Sequence, residues 1–82
     1  MLLFALSSPD AQTFVEKAMA NLTPRESQVL SLIVLGKCNK EIASVLGISP
    51  RTAKFHVGHL LDKFKVTTRM ELLSLWARVD RR

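Results

Sequence analysis

The chain has 82 residues, twelve Lys and Arg against seven Asp and Glu, and a formal charge of +5; this gives one small domain and a short appendage, with no room for a second core. A single cysteine excludes an internal disulfide and any multi-cysteine zinc site, and no run approaches the roughly 20 apolar residues of a membrane span, so a soluble, cytoplasmic protein with no membrane partner is expected. The charge is uneven, with one Lys against two acids in residues 1–22 and eleven cations against five acids in residues 23–82, a balance that suits a partner such as nucleic acid, while charge alone equally allows an anionic membrane surface or an acidic protein.

Residues 1–7 are mostly apolar without a clear period, and read either as an arm folded onto the domain or as the remnant of a longer parent protein. Ser8-Pro9-Asp10 is a cap followed by a proline, and Phe14, Val15, Ala18, Met19 and Leu22 follow at helical spacing, which predicts a helix over residues 9–21. Thr23-Pro24-Arg25-Glu26 then marks the sharpest boundary: Thr23 caps, Pro24 fits the first helical position and Glu26 completes a capping box. Val29, Leu30, Ile33 and Val34 form the buried stripe of that second helix, which Gly36 stops. Asn39 is the expected cap of a short third helix with Ile42, Ala43 and Leu46 inward and Gly47 as its end.

Only Gly47, Ile48 and Ser49 separate that helix from the next, which is the spacing of a helix-turn-helix connection. Ser49 caps and Pro50 starts an amphipathic helix reaching Phe64, with Ala53, Val57, Leu60, Leu61 and Phe64 on the buried face. The opposite face carries Arg51, Lys54, Phe55 and Gly58, a mixture of cations, an exposed aromatic and a bare position that suits a polyanion. Asp62 shares this face and opposes phosphate, so it is expected to lie beyond the contact. Thr68 and Glu71 form a second capping box for a last helix running to about residue 79. Its apolar residues, Met70, Leu72, Leu73, Leu75, Trp76, Ala77 and Val79, cover an arc of roughly 220°, wider than one core contact needs. Two buried faces follow, one for the domain and one for a second copy, with Met70, Leu73, Trp76 and Ala77 as the expected dimer set. Residues 80–82 make a basic tail.

Leu22-Thr-Pro-Arg-Glu26, Asn39-Lys-Glu-Ile-Ala43, Leu46-Gly-Ile-Ser49 and Thr52-Ala-Lys-Phe-His-Val57, followed by Lys63-Phe-Lys-Val66 and Thr68-Arg69, resemble the LuxR-type (GerE- or FixJ-like) helix-turn-helix domain of bacterial transcription regulators. The resemblance covers about residues 22–77 and implies an all-α, four-helix domain, here over residues 22–79 and preceded by an extra N-terminal arm and helix over residues 1–21. It implies binding to double-stranded DNA, commonly as a homodimer through the fourth helix. By position, Lys54, Phe55 and Gly58 fall where family members reach base edges, Thr52 where they often contact phosphate, and Asn39, Lys40 and Arg69 elsewhere near the backbone. The sequence departs from the pattern at Gly58, where a polar or basic side chain is frequent, and at Ala53, where valine is usual.

A helix about 10 to 12 Å across fits a major groove about 12 Å wide. There Lys54 can donate to guanine O6 or N7 and Phe55 can pack on thymine methyl groups, while Arg51, Lys37, Lys40, Lys63 and Lys65 meet phosphates. His56 and His59 lack Cys, Asp or Glu partners at metal spacing, so neither a metal nor any other cofactor is expected. No nucleophile with a base and no paired carboxylates occur in a usable arrangement, which argues against an enzyme. The expected function is sequence-specific DNA binding by a transcription regulator, either the effector domain of a response-regulator-like protein or a stand-alone member, with RNA polymerase as a further partner. Two alternatives stay open: a promoter-recognition module like sigma factor region 4, and a protein-interaction module that does not bind DNA.

Overall fold

The computed structural model describes residues 9–79, so the expected arm over residues 1–7, the Ser8 cap and the basic tail lie outside the described residues. Five helices follow in chain order: α1 (Pro9–Ala20), α2 (Pro24–Val34), α3 (Asn39–Leu46), α4 (Pro50–Lys63) and α5 (Arg69–Ala77). No strand occurs among the described residues, and the all-α expectation holds. None of these helices is long and apolar enough to cross a membrane.

Side chains at the caps set the starts of three helices. Thr23 is extended and its Oγ1 accepts the Glu26 N–H at 3.1 Å, while Glu26 Oε1 accepts the Thr23 N–H at 2.9 Å. Thr68 and Glu71 repeat the reciprocal pair at α5, where Glu71 Oε1 also accepts the Thr67 N–H at 2.6 Å. Ser49 Oγ accepts the Thr52 N–H at 3.1 Å and starts α4. These bonds occupy amide donors that have no partner inside a helix.

At α3 the expectation is corrected. The capping position is Cys38, not Asn39, and the Cys38 N–H donates to Glu41 Oε1 at 2.8 Å. Asn39 is already helical, and its Oδ1 accepts instead from Arg69, thirty residues on. That hydrogen bond to Cys38, followed by the nearby Lys37 charge, holds the Glu41 carboxyl below its ordinary range.

Helix ends also recur. After α2, Gly36 at φ 87° lets its N–H reach Ile33 O and the Lys37 N–H reach Leu32 O. After α3, Gly47 at φ 68° does the same, with the Ile48 N–H on Ala43 O at 3.0 Å. Each is the paired closure that a left-handed residue permits. After α4 the same closure is made by Lys65 at φ 56°, a conformation that glycine adopts freely and lysine does not.

The core gathers one face from every helix. Val15 and Ala18 of α1, Val29, Leu30 and Ile33 of α2, Ile42 and Ala43 of α3, Ala53, Val57 and Leu60 of α4 with Phe64, and Leu72 of α5 are all buried. α4 packs along both α2 and α3, and α5 rests on α2. Ala53 and Ala43 are at most 3% exposed, small where the two helices of the turn meet. Three details differ from the expected stripes, the first being Met19 of α1, which is 42% exposed. Val34, in the last turn of α2, is exposed, because the chain turns away at Leu35 before that position can be covered. The last helix ends at Ala77 rather than near residue 79, and a tight turn at Arg78 brings Val79 back into the core.

Candidate nucleic-acid interface

α4 buries Ala53, Val57 and Leu60 on one face, with Leu61 half-buried beside them, and leaves the other face open, because its apolar residues recur at helical spacing and the opposite positions hold none that α2 or α3 can cover. Arg51, Lys54, Phe55, Gly58 and His59 are all exposed. Phe55 is 60% exposed and stands outside the core. Its ring lies 4.3 Å from the His59 ring and 5.9 Å from that of His56, so three flat side chains shield one another along the helix. At the start of the helix, Ser49 Oγ–H donates to Thr52 Oγ1 at 2.9 Å, which leaves the Thr52 proton for an outside acceptor.

The remaining cations fall into two groups. Lys40 and Lys54 are exposed and border one cleft with Gly58, Leu61 and Arg69, where the N-terminal end of α3 approaches the middle of α4. Lys65 is exposed beyond the C-terminal end of α4, and Lys37 is half-buried in the loop before α3. The other two expected phosphate donors are engaged within the domain. Lys63 Nζ donates to Glu26 Oε1 at 2.7 Å and to Asn21 O at 2.8 Å, joining the end of α4 to the start of α2 and the end of α1. Arg69 donates from Nη1 to Lys37 O at 2.9 Å and from Nη2 to Asn39 Oδ1, clamping the turn before α3 onto the start of α5.

Asp62 lines a hollow with Phe14, Lys17, Asn21 and Lys65 between α1 and the end of α4. Cations on both sides offset its charge there. Glu26, 5% exposed, is the buried acid of the core. Burial by itself raises its carboxyl, but hydrogen bonds from Lys63 and from Thr23 N–H, with the Lys63 charge, outweigh that and hold it below its ordinary range.

The expected dimer set spans a strip of α5 and an adjoining apolar groove. At 100° per residue, Met70, Leu73 and Ala77 share a strip of α5, on which Met70 is 70% exposed, Ala77 is exposed and Leu73 is half-buried. Trp76, half-buried, lines an apolar groove beside this strip with Met19, Leu30, Val34 and Leu35. Neither the Lys63–Glu26 pair nor the Arg69 clamp was identified from sequence. The partners stand 37 and about 30 residues apart, and no local period joins them. The only signal was Glu26 itself, an acid at the third position of a helix whose buried stripe begins three residues later.

Comparison with known proteins fits this arrangement. The chain is 48% identical over 59 residues to the transcriptional regulatory protein MctR of Rhizobium johnstonii, covering 72% of this chain and 28% of that protein. It is 42% identical over 66 residues to the nitrate/nitrite response regulator protein NarL of Escherichia coli, covering 80% of this chain and 30% of NarL. The transcriptional regulatory protein FixJ of Azorhizobium caulinodans matches with the same identity over 66 residues, 80% of this chain and 31% of FixJ. The chain thus spans under a third of the length of these relatives. No solved structure gives a significant match. The family model for bacterial regulatory proteins of the luxR family matches residues 20–76, from the end of α1 through nearly all of α5, and the chain belongs to that family.

Proposed function

We propose that this chain binds double-stranded DNA in a sequence-specific manner as the DNA-binding domain of a bacterial transcription regulator. The domain spans residues 22–79, and α4 enters the major groove. The observation that carries this reading is the exposed face of α4, where Lys54 and Phe55 stand clear of the face that Ala53, Val57 and Leu60 bury, in a luxR-family domain. Lys54 reaches guanine and Phe55 meets thymine methyl groups. Arg51, Lys40 and Lys65 meet phosphates, with Thr52 and Asn39 adding polar contacts and Lys37 a longer-range charge. Lys63 and Arg69 support the interface from within, because their donors are engaged with protein acceptors.

The strip of Met70, Leu73 and Ala77 pairs two copies. With twofold symmetry, the half-site centres lie one helical turn apart, about 10 to 10.5 base pairs, or a multiple of that. Selection of bound sites from random duplex DNA tests both features. It should return a motif with paired half-sites, and Lys54→Ala should relax the preference at one base pair and weaken binding by about tenfold, equal to ~1.4 kcal/mol. A Lys54→Ala protein with unchanged affinity and preference would overturn the assignment of this face.

A further inference from the structure

The apolar stripes of α1 and α2 run further than the core that covers them. Met19 follows buried Val15 by one helical turn and Val34 follows buried Leu30 by one, yet both are exposed, and Leu35 just beyond is 71% exposed. With Leu30 and half-buried Trp76 these side chains line one groove between α1, α2 and α5, edged by Ser27 and Ser31. Among the described residues, none that lines it is charged. Single exposed apolar residues are ordinary on a protein surface, whereas a contiguous group with a polar rim marks a place that another apolar surface covers.

The chain itself holds a segment of that chemistry. Residues 1–6 read Met-Leu-Leu-Phe-Ala-Leu, with no charged or hydroxyl side chain, and only Ser7 and Ser8 separate them from the start of α1 at Pro9. Met19 lies ten residues along α1 from Pro9, about 15 Å by helical rise. The six residues from Pro9 back to Leu3 can span up to about 20 to 22 Å. The segment therefore reaches the groove from its own end of α1. A tether this short holds it at an effective concentration on the order of millimolar, which favours it over a second copy at ordinary protein concentrations.

We infer that the apolar side chains of residues 1–6 cover this groove, so that the chain closes its own α1, α2 and α5 face. The match is one of apolar surface to apolar surface, and its gain is the area both sides remove from water. The groove contains no residue of α4, so this surface is separate from the proposed duplex contact.

Trp76 is the only tryptophan of the chain, and its fluorescence therefore reports on the groove directly. The test compares the full chain with the pair Leu3→Asp and Phe4→Asp, with Leu35→Gln, and with all three substitutions together. The pair should shift Trp76 emission to the red, increase its quenching by acrylamide and lower the thermal midpoint by several degrees, while helical ellipticity at low temperature stays the same. Leu35→Gln should act in the same direction, and the triple variant should show less than the sum, because both changes break one contact. An unchanged Trp76 spectrum in the pair overturns the inference, as does simple additivity. Lost ellipticity in the pair would show that residues 1–6 hold the helices themselves, and a red shift of the unaltered protein on dilution would make a second copy the occupant; either result overturns it too.

Discussion

Glu26 shows how much one side chain can hold in a domain of this size. A single carboxylate oxygen accepts from Thr23 N–H and from Lys63 Nζ, so the start of α2 and the end of α4 share one acceptor. Glu26→Gln keeps the shape but weakens the capping bond and leaves the Lys63 ammonium, which is about one-third exposed, without its anion. The expected loss is about 2 kcal/mol of unfolding free energy, measured by urea denaturation. Because the carboxyl is held below its ordinary range in the folded state, its contribution is fully present above the unfolded pKa. It is lost as pH falls through the lower folded value. The unaltered protein should therefore lose stability below about pH 4.5 more steeply than Glu26→Gln, and parallel pH profiles would rule out this account. The capping half of this arrangement was legible in Thr23 and Glu26. The half that reaches Lys63 was not, because it depends on where α4 ends in space.

At the scale of the element, α2, α4 and α5 owe their starts to side-chain caps more than to composition. Thr23, Ser49 and Thr68 start helices where their sequence positions predicted, and Gly36 and Gly47 close them with left-handed backbone. Lys65 closes α4 in the same conformation without the residue suited to it, and a side chain there is unfavourable by roughly 1 to 2 kcal/mol. Lys65→Gly should remove that strain and raise the thermal midpoint by several degrees, less the added freedom of the unfolded chain. Since Lys65 is also a proposed phosphate partner, the same variant should lower the slope of log affinity against log salt by about one. A midpoint that falls would show that the Lys65 side chain contributes more than its backbone loses. Sequence alone did not identify this closure, because lysine gives no left-handed signal.

For the whole molecule, the arrangement of α5 decides which apolar residues are left for a partner. The broad apolar arc predicted two buried faces, and the fold divides it: Leu72 enters the core, Trp76 turns into the groove beside α1 and α2, and Met70 and Ala77 remain exposed. Met70→Asp tests the proposed pairing without disturbing the helix, because an acid in the first turn favours the helix dipole. Binding to paired half-sites should weaken by about tenfold or more through lost cooperativity, with binding to a single half-site unchanged. Sedimentation would report the loss of the dimer on DNA. Equal cooperativity in the variant would move the pairing surface away from this strip.

The sequence by itself determined the helical class, the three capped helix starts, the turn between α3 and α4, and the exposed character of Lys54 and Phe55. Each of these depends on residues within a turn or two of one another, where spacing and side-chain type act directly on the backbone. Only the tertiary structure decided that Lys63 and Arg69 serve the domain from within, that Cys38 rather than Asn39 caps α3, and that Trp76 lines a groove with residues of α1 and α2. It also decided that Gly58 borders an open cleft rather than a packed contact. These outcomes depend on groups brought together across tens of residues, or on which neighbour covers a face, and a local pattern carries no record of either.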